Sequence, residues 1–135
     1  MSSRALSCLA AATLAGGLTV GLAAPAYAGC YGTRADKPVL VTPSTGPRLV
    51  TGYGGGSLCP GSATVCLDRN VSTVTSTCRY YTGSNPVGST GSTPCQVGVW
   101  QTYVVITPSD GGAPHVLHSD PLVLTPLDCS PVVTA

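Results

Sequence analysis

The residues that could carry chemistry are few. The tightest group is His115, His118, Ser119 and Asp120, which puts bases, a hydroxyl and a carboxylate within six positions. Those are the residue types of a hydrolytic triad. On a strand, however, residues three apart face opposite sides, so the two histidines diverge. Adjacent residues also do not place nucleophile, base and orienting acid in line. The expected role is exposed polar residues beside a turn. A nucleophile elbow would need a serine on a Gly-x-Ser-x-Gly turn between strand and helix, and Ser57 and Ser62 stand in glycine-rich sequence without that pattern. The spacings Cys59-x6-Cys66 and Cys66-x11-Cys78 are not those of zinc sites. The acids are five scattered Asp, which form neither a calcium loop nor a glycosidase pair. The sequence therefore predicts no catalytic, metal or cofactor residue. Asn70-Val71-Ser72 is an N-glycosylation sequon, meaningful only in a eukaryotic secretory path.

What must position these residues is preceded by a segment that is not part of the fold. Arg4 precedes an apolar, small-residue run over 6–22, and Pro25-Ala26-Tyr27-Ala28 ends in an A-x-A pattern. That reads as a secretory signal peptide spanning 1–28, with the mature chain starting at Gly29 and holding no transmembrane span. Removing 28 residues from 135 leaves 107, one domain over 29–135. The mature chain keeps five basic residues and five Asp, for a net charge of zero. That balance removes the electrostatic case for nucleic acid or an anionic membrane surface.

Cys8 leaves with the leader, and Cys30, Cys59, Cys66, Cys78, Cys95 and Cys129 remain. An even count in a small exported chain predicts disulfides. In an antiparallel hairpin the midpoint of a cross-strand pair falls on the turn, which selects Cys30–Cys59, Cys66–Cys78 and Cys95–Cys129. The last pair centres on Asp110-Gly111-Gly112 and would set Trp100 opposite Leu124, with Pro121 able to shift the register by one. A competing reading takes Tyr27-Ala28-Gly29-Cys30 as a lipobox, lipidating Cys30 and leaving an odd thiol.

Apolar runs at 39–41 and 49–50 flank the turn Pro43-Ser44-Thr45-Gly46-Pro47. Ala63, Val65 and Leu67 alternate onto one face, Asp68-Arg69-Asn70 is turn-like, and 74–81 is a Thr-rich strand with a tyrosine pair. Residues 97–106 and 115–124 form the strongest hairpin, its second arm interrupted by Pro121. The glycines of 53–57 are expected to break regular structure, and 83–94 to form a surface loop. No helical period appears, so the fold class is all-β: a small antiparallel β-sandwich of six or seven strands braced by disulfides. In a chain without Phe, Trp100 is expected in the core, while the tyrosines could line a binding face.

The leader ending Ala26-Tyr27-Ala28, the early Cys30, the phrase Cys59-Pro60-Gly61-Ser62-Ala63-Thr64-Val65-Cys66 and the strand at 100–103 resemble small exported cysteine-containing Ig-like β-sandwich proteins of high-GC Gram-positive bacteria. The resemblance covers most of the chain and implies export and an Ig-like sandwich, with no activity attached. Together these features predict a secreted, non-enzymatic protein that binds an extracellular polymer or protein of unknown identity. The alternatives are an inhibitor of a protease or amylase, presenting residues 83–95 or the loop before Cys59, and a surface protein anchored by lipid on Cys30.

Overall fold

Along the strand that holds Trp100, every second residue is buried. Trp100, Thr102, Val104, Ile106 and Pro108 point inward, and the residues between them point out. That alternation is what a sheet with one wet face requires. The computed structural model describes residues 32–131, and within them every regular element is a strand. They are β1 (Gly32–Val41), β2 (Leu49–Ser57), β3 (Gly61–Arg69), β4 (Ser72–Gly83), β5 (Val87–Ser89), β6 (Thr93–Pro94), β7 (Gly98–Pro108), β8 (His115–His118) and β9 (Leu122–Leu124).

All pairings are antiparallel. One sheet runs β1-β2-β5, with β6 also on β2; the other runs β4-β3-β7-β8, with β9 also on β7. Counting β5/β6 and β8/β9 as interrupted single strands gives seven, within the six or seven expected. The two sheets face each other, β2 lying across β3 and β7. Between them sit two clusters: Cys59, Ala63, Val65, Val104 and Ile106 at one end, and Val50, Leu67, Trp100 and Leu124 at the other. Trp100 is 1% exposed, and its indole Nε1 donates to Gln96 O at 2.9 Å.

Two expectations fail here, for related reasons. The glycine run 53–57 is not a break; it is the C-terminal half of β2, and Gly52, Gly54, Gly55 and Gly56 are all buried. A Cβ on Gly52 would lie 2.5 Å from Thr102 Oγ1, and one on Gly54 2.7 Å from both Val104 Cγ2 and the backbone oxygen of Arg34. These glycines let β2 settle directly onto β7, and close packing offsets their conformational entropy. Residues 83–94 are likewise not a surface loop. They carry β5 and β6 along β2, with Pro86, Thr90 and Gly91 buried. Tyr81 crosses from the opposite sheet over Gly88 and donates its hydroxyl to Ser89 O at 2.5 Å. A second bridge between sheets runs from Thr102 Oγ1 to Asp36 O at 2.5 Å.

The β3–β4 hairpin turns at Asn70 and Val71, both with positive φ (52° and 59°), one step beyond the expected Asp68-Arg69-Asn70. Positive φ at both central residues is the type I′ arrangement, whose twist matches that of the flanking strands. Near the turn paired positions sum to 141; beyond Val65 and Arg79 they sum to 144. The three extra residues bulge out of β4, and Thr77 fills the gap. Its Oγ1 accepts from Leu67 N at 2.9 Å and donates to Val74 O at 2.7 Å. Replacing Thr77 by Val would leave the buried Leu67 amide without a partner. Urea titration of T77V should show a loss of about 1–3 kcal/mol.

Cys66 and Cys78 are bonded, on the register that sums to 144. Cys95 and Cys129 are bonded as well. Cys59 is disulfide-bonded too. Its predicted partner Cys30 lies outside the described residues, as does the signal peptide. The β1–β2 ladder ends with Gly32 opposite Ser57, a register of 89, which is the sum that a Cys30–Cys59 pair requires.

The predicted Trp100–Leu124 pairing is wrong by two residues. Trp100 lies opposite Leu122, and Leu124 opposite Gly98, although Trp100 and Leu124 share a core cluster. Paired positions sum to 221 along β8 and 222 along β9, so the chain slips by one at Pro121, as its missing N–H allows. The disulfide survives this error because it lies beyond the ladder. A turn at 125–129, closed by Cys129 N donating to Thr125 O at 3.3 Å, takes up the two remaining residues.

Asp128 fixes that turn. Its Oδ2 accepts from the Thr125 amide at 2.7 Å and the Thr125 hydroxyl at 2.9 Å. These bonds, the backbone one first, hold its carboxyl below the ordinary aspartate range. A depressed folded-state pKa contributes stability above the unfolded value and loses it as pH falls through the folded one. Thermal melts between neutral and strongly acid pH should therefore show a shallower acid decline for Asp128→Asn than for the parent.

Candidate functional site

The outer face of the β4-β3-β7-β8 sheet gathers most of the side chains that the sequence marks for chemistry. Its rows follow from the register. Tyr80, Thr64, Val105 and Val116 stand side by side across the four strands. The next row is the Cys78–Cys66 disulfide, then Tyr103 and His118. Below these lie Thr73, Asp68 and Gln101, and Val99 opposite Val123 closes the face.

At its centre is a small polar constellation. Asp68 is 5% exposed; its Oδ1 accepts from Thr73 Oγ1 at 3.0 Å, and its Oδ2 is 3.7 Å from His118 Nε2. The His118 ring leans on Tyr103, with centroids 4.8 Å apart and planes at 34°. The imidazole stands beside a carboxylate, but among the described residues no serine hydroxyl or cysteine thiol is hydrogen-bonded to it as a nucleophile. Ser119 is buried rather than exposed. Its Oγ accepts from Thr102 N and donates to Asp120 O, both at 2.8 Å, so it caps the end of β8. The two histidines diverge as expected, His115 opposite inward-facing Ile106 and His118 opposite outward-facing Tyr103. The carboxylate beside His118 is thus Asp68, two strands away, and not its chain neighbour Asp120. Sequence proximity could not indicate this pair, because β3 and β8 meet only through β7.

Around the constellation the face is apolar and exposed: Tyr80 is 67% accessible, Val123 62% and Val116 57%. The tyrosines do not share one surface. Tyr80 and Tyr103 lie on this face, Tyr81 packs against the core, and Tyr53 stands on the outer face of the other sheet.

That second face carries a shallow groove of ≈ 280 Å³ lined by Asp36, Lys37, Val39, Thr51, Gly52, Tyr53 and Ser89. A bulge in β1 between Asp36 and Val39 sets Lys37 at its rim. The Arg34 guanidinium sits 5.0 Å from the Tyr53 ring centroid and grips Asp36 with two bonds, Nε to Oδ1 at 2.9 Å and Nη2 to Oδ2 at 2.5 Å. The carboxylate beside it holds the Arg34 guanidinium even more firmly protonated than usual.

Of the two stretches considered for an inhibitory loop, 83–95 folds down onto β2 and does not project. The loop before Cys59 does project. Leu58 is exposed with φ 52°, and the loop is pinned by Leu58 N to Asn85 Oδ1 at 2.8 Å and Cys59 N to Ser84 O at 3.2 Å. No cluster of three metal-ligating side chains occurs among the described residues, and among them no helix is long and apolar enough to cross a membrane. No protein-family model, curated protein or solved structure matches the chain.

Proposed function

We propose that this is a secreted, non-enzymatic Ig-like protein that binds a polymer or protein outside the cell through the outer face of its four-stranded sheet. The observation that carries the reading is the exposure of Tyr80, Val116 and Val123 together on that face, flanking Tyr103 and Val105. Exposed apolar side chains gathered on one flat face mark an interaction surface. The pairing of three- and four-stranded sheets, with β3, β7 and β8/β9 consecutive in one of them, supports the Ig-like assignment. The disulfides belong to an oxidising compartment, which supports export. A bonded Cys59 needs a partner outside the described residues, and lipidation of Cys30 would remove the one assigned to it. The intact mass of the exported protein should therefore show Gly29 first and no diacylglycerol.

The direct test is retention of the oxidised protein on cell-wall and polysaccharide material, alongside capture of protein partners. Tyr80→Ser with Val116→Ser should abolish it while leaving the melting temperature nearly unchanged. Retention on no polymer, with no partner captured, would remove the binding claim. The inhibitor reading stands second, supported by exposed Leu58 on its pinned loop. A panel of serine proteases and amylases at micromolar protein, unaffected throughout, would eliminate it.

A further inference from the structure

The four arginines among the described residues are all engaged. Arg34 grips Asp36, Arg48 donates to Asp128 O, Arg69 to Val97 O, and Arg79 to Ser76 O and Cys78 O. Lys37 is the chain's single lysine, and it alone among the described lysine and arginine residues has no ion-pair or hydrogen-bond partner there. It stands at the rim of the groove on the three-stranded sheet. The carboxylate nearest it in sequence is spent, because Arg34 occupies both oxygens of Asp36. The groove therefore presents one uncommitted positive charge and a neutralised acid.

Its other walls set the class of ligand. The Arg34 guanidinium sits over one face of the Tyr53 ring, and Val39 adds a second apolar contact to the groove. The hydroxyls of Thr51 and Ser89 line the same groove and make no hydrogen bond among the described residues. Asp36, Tyr53 and Ser89 occupy one cross-strand row. Neighbouring strands lie about 4.8 Å apart, so Ser89 stands one strand spacing from Tyr53, within the span of a single sugar ring. An aromatic wall takes the C–H face of such a ring, hydroxyls meet its hydroxyls, and an ammonium meets a carboxylate. The groove is shallow, which fits a ring within a chain better than a small ligand needing enclosure.

We infer that this groove binds a carboxylated sugar residue of an extracellular polysaccharide, with Lys37 selecting the carboxylate and Tyr53 seating the ring. The inference rests on the extracellular-binding reading and gives it a ligand class, but it uses the opposite face. The test is an NMR titration of the oxidised protein with a trimer of galacturonate and with the same trimer fully methyl-esterified, which keeps the rings and removes the charge. The acid trimer should move amides of residues 36–39, 51–53 and 89, and should bind about tenfold tighter than the ester. Lys37→Gln should bring the two within about twofold of each other, and Tyr53→Ala should weaken both about tenfold. Spectra away from the groove should be unchanged in each variant, since both side chains lie on the surface.

Equal binding of acid and ester would overturn the inference. So would a preference that survives Lys37→Gln, which would leave Lys37 only guarding an edge strand against pairing. Shifts confined to the Tyr80 face, or no shifts with either trimer, would overturn it too. If the protein is nonetheless retained on cell-surface material, the binding reading stands without this site. If it is retained on nothing and captures no partner, the binding reading itself fails.

Discussion

Substituting alanine for Gly54 is expected to cost about 3 kcal/mol or more, at the upper end of what over-packing a core does. The added Cβ would meet Val104 Cγ2 and the Arg34 backbone oxygen, each at 2.7 Å, and lies 3.3 Å from Ala35 Cα. A side chain can rotate away; the backbone of β1 cannot move without opening the β1–β2 ladder in which Ala35 pairs with Gly54. Relief therefore requires parting β2 from β1 as well as lifting it away from β7, which costs ladder bonds and thins the contact between the sheets. A domain of this size has only about 5–15 kcal/mol in hand, so urea unfolding of G54A should show a midpoint far below the parent. Gly46 is the control. It lies in the β1–β2 turn with φ 90°, and nothing approaches its Cβ position within 4 Å. Gly46→Ala pays only for backbone conformation and should lose about 1 kcal/mol. A Gly54→Ala loss no larger than that of Gly46→Ala would show that the sheets are not packed as tightly as described.

Replacing Cys95 and Cys129 together by alanine is expected to remove about 3–4 kcal/mol by the chain-entropy model, for a closed loop of 34 residues. The location adds to this. Cys95 continues the β6–β2 pairing, its amide donating to Arg48 O at 2.8 Å, while Cys129 ends the turn after β9. Both half-cystines pack against the cluster of Val50, Leu67, Trp100 and Leu124. Cutting the bond frees the C-terminal turn from the other sheet and opens a path for water to Trp100. Thermal unfolding followed by Trp100 fluorescence should start earlier and from a red-shifted baseline. The Cys66–Cys78 link closes only 12 residues within one hairpin, and its loss should cost about 1 kcal/mol less by the same model. Equal losses from the two double variants would show that the turn gains nothing from its tether.

What was legible in the chain was local. Alternation of Ala63, Val65 and Leu67, the turn at 43–47 and the break at Pro121 each depend on a few neighbouring residues, and each appears in the fold. Hairpin geometry turns a spacing into a midpoint, which places Cys66 and Cys78 on the observed register; it also names the Cys95–Cys129 pair, but there the C-terminal turn, not the ladder, brings the sulfurs together. The role of the β2 glycines is not local, because glycine's propensity is a property of the isolated chain, whereas its use here is set by Thr102 and Val104, about fifty residues away. The Asp68–His118 approach and the groove under Tyr53 were invisible for the same reason. Both are made by strands that meet only when distant segments pair, and no periodicity records which strand lies beside which. Tyr80 and Tyr81 show the limit most plainly: neighbours in sequence, one faces solvent and the other reaches the facing sheet over Gly88.

Each described cystine joins a cysteine to the next one along the chain, Cys66 to Cys78 and then Cys95 to Cys129. A Cys30–Cys59 bond would complete the series. For a polypeptide threaded out of a cell from its N-terminus, this ordering has a practical meaning. Each thiol would find its rightful partner as the next to emerge, before any later competitor is exposed. An oxidant that merely couples successive thiols would reach the native arrangement among the 15 that six cysteines permit, with no need to break and remake bonds. Oxidation during vectorial release should thus be insensitive to a disulfide isomerase, whereas refolding of the full-length reduced chain, with every thiol exposed at once, should be accelerated by one.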